Sequence, residues 1–158
     1  MPMKNTGLGY ALTRYHRIGS PSDPVRVEND RPIECALCHT DATVEKLVTT
    51  LESWTKHRYD REALKRLYGD DLGVSVLEAT LARGLPHERT VAIDRLGRSK
   101  EPRYAAPLVA VIPQSLPITR YFVREALARL TGKRPELDMA LPGDELEKRA
   151  ADWLANAD

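Results

Sequence analysis

Two cysteines and a histidine stand within five residues of one another in this sequence, at Cys35, Cys38 and His39. The chain has no other cysteine. Positions i, i+3 and i+4 of a helical turn project from the same side, so the three side chains are predicted to face one object. That object must take two sulfur atoms and one nitrogen atom.

A redox-active cysteine pair, a zinc ion and a haem each suit this set of atoms. A thioredoxin-like pair needs its Cys-x-x-Cys at the start of a helix that follows a strand in a βαβ unit, and residues 24–34 offer one poor strand. A structural zinc site needs four ligands. His16, His57 or His87 could supply the fourth, but the sequence lacks a second ligand pair at short spacing.

Covalent haem of the c type needs little beyond this pentapeptide. Two thiols add across the two vinyl groups of the haem, and the adjacent imidazole becomes an axial ligand of the iron. With two cysteines in a chain of this length, a chance occurrence of this spacing together with a histidine directly after the second cysteine is on the order of one in three thousand. The pattern favours haem c, with Cys35 and Cys38 as attachment points and His39 as axial ligand.

The iron has a sixth position, for which His16 is the best candidate in the sequence. It closes a short helical pattern over Leu8, Leu12 and Tyr15, just before the loop that leads to the cysteines. His57 lies at the far end of the helix that begins beside His39, roughly 25 Å away by helical rise, so it is a poor ligand to the same iron.

The elements around the motif are predicted to be a loop and then helices. Residues 19–34 carry three prolines and alternating charge, which predicts an extended loop. After residue 41 an amphipathic helix of about four turns is predicted, with Thr40 or Asp41 as N-cap. Its apolar face comprises Val44, Leu47, Val48, Leu51 and Trp54.

Further helices are predicted from local start and stop signals. Asp60 can cap one helix that Gly69 ends, and Ser75 with Glu78 forms a capping box for a helix that Gly84 ends. One more short helix is predicted over residues 103–113. After Pro142 a final helix is predicted, with its apolar face at Leu146, Ala150, Trp153 and Leu154.

Two segments repeat at an offset of 31 residues, counted from Pro86 to Pro117. Each proline suits the first position of a helix. The same offset joins Arg89 to Arg120 and Leu96 to Leu127, and Gly97 and Gly132 lie near the two helix ends. This period predicts stacked helical pairs.

Composition agrees with an all-α fold and excludes several function classes. Alternating β-branched or aromatic runs are too short for an appreciable sheet. Lys and Arg number 24 against 23 Asp and Glu, so no basic patch for nucleic acid is predicted. The sequence contains neither an apolar run long enough for a membrane span nor a signal peptide at its start.

Residues 15–41, YHRIGSPSDPVRVENDRPIECALCHTD, resemble the last haem-binding segment of bacterial multihaem c-type cytochromes, in which H-R-I-x-x-P precedes the final Cys-x-x-Cys-His. The helical remainder is similar to HEAT-like repeats, and ITRYFVREALARLTG resembles the second helix of such a unit. The resemblance implies an N-terminal haem-binding segment with a long loop over residues 1–41 and a HEAT-like helical-repeat array over residues 42–158.

Members of this family are exported and carry several haem motifs. The opening Met1-Pro2-Met3 looks like the residues that follow an upstream Cys-x-x-Cys-His, so the chain is expected to be the C-terminal part of a longer, periplasmic or otherwise exported protein. Further haem domains are then expected upstream. On this reading His16 serves either the haem at His39 or a missing upstream haem.

The leading functional prediction is electron transfer with redox partner proteins, rather than catalysis. The alternative is a helical-repeat module for protein–protein interaction whose haem motif is unoccupied. A third hypothesis, a catalytic haem with an open sixth position, predicts that carbon monoxide changes the spectrum of the reduced protein.

Overall fold

The computed structural model describes residues 3–6, 10–14 and 19–157. Within these ranges the chain is mostly helical, which confirms the predicted class at that level, and its one sheet has two antiparallel strands, β1 (Met3–Thr6) and β2 (Leu12–Arg14). Short 3₁₀ helices cover Glu34–Leu37 and Pro102–Tyr104. The α-helices are α1 (Pro24–Val27), α2 (Val44–Thr55), α3 (Arg61–Tyr68), α4 (Val76–Arg83), α5 (Pro86–Arg98), α6 (Ala105–Ala110), α7 (Pro117–Thr131) and α8 (Gly143–Ala155).

The N-terminal hairpin corrects the prediction of a helical pattern there. Leu12 lies in β2, where it pairs with Thr6 of β1 and is buried, while Leu8 and Tyr15 lie outside the described residues. Three apolar residues specify a helical period weakly. Pairing between the strands and packing of β1 on α5 therefore decide the local structure.

The segment predicted as an extended loop contains a short helix. Pro24 begins α1, and the Asp23 carboxylate accepts a hydrogen bond from the Val25 N–H. Val27 is buried in the main core. A helix of four residues is too short to show a periodic pattern, and its stability comes from tertiary packing.

Helix α2 forms as predicted, with two differences. Its N-cap is Thr43, whose hydroxyl accepts from the Lys46 N–H, and not Thr40 or Asp41. The predicted residues at positions 44, 47, 48 and 51 are buried, but Trp54 is 71% exposed. Trp54 lies one residue before the last residue of the helix, and the core ends before it.

The predicted N-caps Asp60 and Ser75 are confirmed, but the Glu78 side chain lies 3.4 Å from the Arg103 guanidinium and does not complete the predicted capping box with Ser75. The Asp60 carboxylate accepts from the Glu62 N–H at the start of α3, and the Ser75 hydroxyl accepts from the Glu78 N–H at the start of α4. Gly69 ends α3 with φ +105°, a conformation that favours glycine. These signals act within one turn of the chain, so they can be predicted from sequence.

Helices α5 and α7 begin at Pro86 and Pro117 as predicted and pack side by side in the same direction. Near their N-termini the Thr90 and Thr119 hydroxyls are 2.9 Å apart. Near their C-termini Gly97 meets Ala126 so closely that a Cβ on Gly97 would lie 2.5 Å from the Ala126 Cβ. The contact therefore requires glycine at position 97.

The remaining helices close one end of the core. Helix α6 supplies the predicted short helix, and α8 packs against it. Leu146 and Ala150 of α8 are buried as predicted, and Trp153 and Leu154 are partly buried against the same core. In the described part of the chain, no helix has the length and apolar character needed to cross a membrane.

A buried carboxylate fastens α2 to the turn before α3. Glu52 accepts hydrogen bonds from the Tyr59 N–H at 3.0 Å, from the Arg58 guanidinium at 3.2 Å and twice from Arg61, at 2.9 and 3.0 Å. The Arg61 hydrogen bonds are the main reason that the pKa of Glu52 falls from 4.5 to about 2. The carboxylate is therefore ionised throughout the neutral range.

This lowered pKa predicts an acid-sensitive contribution to stability. The contribution is complete above the ordinary pKa of 4.5 and is lost as the pH falls towards about 2, because the unfolded chain binds the proton more readily. Arg58 is exposed, so solvent weakens its attraction to Glu52. We therefore expect the contribution of Glu52 to the free energy of unfolding to be on the order of 2 kcal/mol. Urea unfolding at about pH 6 and about pH 3 should show a smaller loss in Glu52→Gln than in wild type. Equal losses would contradict the assignment.

Candidate functional site

Cys35, Cys38 and His39 lie on one turn at the end of the 3₁₀ helix. The backbone N–H groups of Cys38 and His39 both donate to the Cys35 carbonyl, at 3.2 and 3.0 Å. The two residues between the cysteines, Ala36 and Leu37, are buried in the core. Cys38 and His39 are exposed, and Cys35 is partly buried against the core, while the apolar residues between the cysteines anchor the turn.

Two buried polar contacts fix the backbone just before this turn. The Ile33 N–H donates to the Tyr68 hydroxyl of α3 at 3.1 Å. The Lys4 ammonium of β1 donates to the Pro32 carbonyl at 3.1 Å and to the Asp30 carboxylate at 2.7 Å. The turn is thereby tied to both the helical array and the hairpin.

Arg31 and Glu88 form a second anchor to the helical array. The Glu88 carboxylate accepts from the Arg31 backbone N–H at 3.1 Å and from its Nε at 3.0 Å. The Arg31 guanidinium also donates to the carbonyls of Leu67 and Arg83, at 2.8 and 2.9 Å. One side chain thus connects the segment before the cysteines to α3, α4 and α5.

Replacing Tyr68 by phenylalanine should loosen the backbone just before the cysteine turn, where the Tyr68 hydroxyl accepts from the Ile33 N–H. The buried Ile33 N–H would lose its acceptor, so we expect a loss of about 1–3 kcal/mol in the free energy of unfolding. Burial raises the pKa of Tyr68 far above its ordinary value, so the hydroxyl stays protonated at neutral pH. The measurement is urea denaturation, with Tyr10→Phe as the exposed control. Equal stability of Tyr68→Phe and wild type would contradict the role.

An apolar cleft opens beside Cys35 and His39. It has a volume of about 250 Å³ and lies against α2. We call it the Trp54 cleft, because the indole of Trp54 forms its exposed wall and the side chains of Leu47 and Leu51 line its inner part. The sequence pattern had placed Trp54 in the core, so its part in this cleft was missed.

A second cleft opens on the other side of Cys35. It has a volume of about 420 Å³ and is lined by both cysteines, by Met3 of the hairpin, by Glu34 and by Arg95 of α5. We call it the Arg95 cleft. The two clefts share Cys35, and Arg95 is sixty positions from it in the sequence, so the sequence alone gave no indication of this neighbourhood.

The setting differs from that of a redox-active cysteine pair. Both cysteines are free thiols, and burial raises the pKa of Cys35, with smaller contributions from the Glu34 carboxylate and Cys38. Reactive thiolates instead have a lowered pKa. The described sheet is an antiparallel hairpin, so the βαβ context of a thioredoxin-like motif is absent from the described ranges.

Two of the other three histidines, His57 and His87, lie within the described ranges, and neither lines the two clefts beside the cysteine turn. His57 lies 3.9 Å from the Glu28 carboxylate beyond the end of α2, and His87 is exposed in the first turn of α5. His16, the candidate sixth ligand, lies outside the described residues. Among residues 3–6, 10–14 and 19–157, no three His, Cys, Asp or Glu side chains gather closely enough to hold a metal ion. A haem does not require such a cluster, because its thiols bond to carbon and only the imidazole binds iron.

The chain matches no family model, no curated protein and no solved structure. The resemblance to multihaem cytochromes therefore stays a prediction from the motif residues. Function must be argued from the cysteine turn and the two clefts beside it.

Proposed function

We propose that this chain is an electron-transfer segment of a c-type cytochrome, carrying one covalent haem c at Cys35, Cys38 and His39. The observation that carries the proposal is the exposure of Cys38 and His39, with Cys35 partly exposed, on a turn whose intervening residues are buried. The same pentapeptide is the attachment signal for c-type haem. The spacing of these three residues and their exposure thus support the same proposal.

The surroundings of the turn suit a covalently held macrocycle. Cys38 is exposed and Cys35 lines both clefts, which gives each thiol access to a vinyl group. Each addition breaks the S–H bond and the π bond of a vinyl group, forms an S–C bond and a C–H bond, and needs no oxidant. The Trp54 cleft offers an apolar surface next to His39, and an exposed tryptophan there would lose water contact when a flat apolar group covers it.

In this proposal the chain's own residues hold and orient the group. Cys35 and Cys38 tether it, and His39 donates its imidazole to the iron. When bound, the haem supplies an iron that exchanges single electrons. His16 remains the candidate sixth ligand, either of this haem or of one upstream in a longer, exported protein.

The helical array is proposed to be HEAT-like and to serve as a docking surface for redox partner proteins. Support comes from the parallel packing of α5 and α7, each preceded by a shorter helix and begun by a proline. A second candidate function, an interaction module with the haem motif unoccupied, is favoured by Leu85 and Leu116. These residues precede the two prolines and are each 54% exposed.

Expression in a bacterial periplasm with c-type maturation tests the proposal. A denaturing gel stained for haem should show covalent haem in wild type and none in the Cys35→Ser, Cys38→Ser double variant. An unstained wild-type protein with a helical circular dichroism spectrum would favour the interaction module instead. Carbon monoxide added to the reduced, stained protein should change its spectrum little if two histidines ligate the iron.

A further inference from the structure

The apolar face of α2 continues from the core into the Trp54 cleft. Leu47 and Leu51 are 7% and 1% exposed, whereas Trp54 is 71% exposed, and all three line the cleft. Positions 47, 51 and 54 are spaced by four and three residues, so their side chains lie on one side of the helix. The last and largest residue of this apolar face therefore stands in water beside the cysteine turn.

The polar residues of the Trp54 cleft leave its surface suited to an apolar ligand. The Thr50 hydroxyl donates to the Lys46 carbonyl at 2.8 Å, so it is engaged by the backbone of α2. Asp41 and Lys46 are exposed, which keeps their charges in water. Ala42 is buried and adds a methyl group to the lining. A flat apolar group would cover this surface without leaving a buried charge unpaired.

The cleft lies on a defined side of the proposed haem. Both His39 and Cys35 line it, whereas Cys38 does not. An axial imidazole meets the iron from one face of the macrocycle, and a thioether holds an edge. A cleft that contains both groups therefore lies on the His39 side of the haem, next to the edge held by Cys35. At about 250 Å³ it is too small to enclose the whole macrocycle, so it would cover part of that one face.

Resting on the proposed function, we propose that Trp54 is a haem-contacting residue whose indole packs against the His39 side of the macrocycle and shields it from water. This contact buries two flat apolar surfaces and so extends the packing of α2 beyond Leu51. Excluding water from one face also favours the reduced iron, which has one positive charge fewer, so Trp54 raises the reduction potential.

The first test is hydroxyl-radical footprinting of the matured wild-type holoprotein, read by mass spectrometry. The chain has two tryptophans, and Trp153 of α8 is the internal control because it is partly buried and lines neither cleft. With the indole of Trp54 under the haem, Trp54 should be oxidised several-fold more slowly than Trp153. Faster oxidation of Trp54 than of Trp153, the order given by their exposures in the chain alone, would overturn the proposal.

The second test is the midpoint potential of the holoprotein, measured by spectroelectrochemical titration. Trp54→Ala should shift the potential to more negative values, and Trp54→Phe, which keeps a flat apolar ring, should restore most of it. The matched control is Leu85→Ala. Leu85 is also a large exposed apolar residue, at 54%, but it lines neither cleft, so its loss should leave the potential unchanged.

The two tests separate this inference from the proposed function. If covalent haem is present and Trp54→Ala matches Leu85→Ala in potential, the role of Trp54 is overturned while the proposed function stands. The footprint needs wild type alone, so it decides the question even where Trp54→Ala fails to mature. If wild type carries no covalent haem, the proposed function and this inference both fail.

Discussion

Replacing Glu88 by alanine is expected to lower the free energy of unfolding by about 3–5 kcal/mol. Glu88 is 3% exposed, and it is the carboxylate to which the Arg31 guanidinium is bonded. It also accepts from the Leu85 N–H at 2.7 Å and so caps the start of α5. The substitution would therefore leave a largely buried guanidinium without its counter-ion and a helix end without its cap.

Urea denaturation measures this loss, and Glu62→Ala is the matched control. Glu62 is an exposed glutamate on α3 that pairs with Lys65 three residues away, an interaction expected to contribute less than about 1 kcal/mol. Stability of Glu88→Ala equal to that of Glu62→Ala would contradict the anchoring role. Because Arg31 precedes the cysteine turn, we also expect faster hydrogen exchange at the Ile33 amide in Glu88→Ala.

Replacing His39 by alanine is expected to separate attachment from ligation. Cys35 and Cys38 remain, so the haem stain should persist, whereas the iron loses its ligand from the motif. We expect the spectrum of the whole haem population to change and the reduced protein to bind carbon monoxide. Added imidazole should restore the wild-type spectrum.

The chain offers two matched controls for this variant. His57 and His87 are exposed and line neither cleft beside the cysteine turn, so His57→Ala and His87→Ala should leave the spectrum unchanged. A His39→Ala protein with the wild-type spectrum would contradict the assignment of His39 as axial ligand.

Much of the helical part could be predicted because its signals are local. The caps at Asp60 and Ser75 and the prolines that begin α5 and α7 each act within a turn of the residues they affect. The hairpin was missed because strand pairing joins separate segments. The exposure of Trp54 was missed because a helical pattern does not reveal where the core ends.

The candidate site also combines features that the sequence predicts with features that only the tertiary structure shows. Cys35, Cys38 and His39 are adjacent in sequence, so their chemistry could be predicted from spacing alone. The contacts that hold and surround them, from Glu88 to Arg31 and from Arg95 to the cleft, join residues far apart in the chain. Only the tertiary structure brings these residues together, and no local pattern distinguishes them from ordinary surface charges.

The attachment of haem through two thioethers is tested most directly by the intact mass of the matured protein under denaturing conditions, together with a count of its free thiols. We predict that wild type retains the mass of one haem and has no titratable thiol, and that the haem is recovered on the peptide containing Cys35 and Cys38. A wild-type protein of unmodified mass, with both thiols free to titrate, would contradict the proposed function.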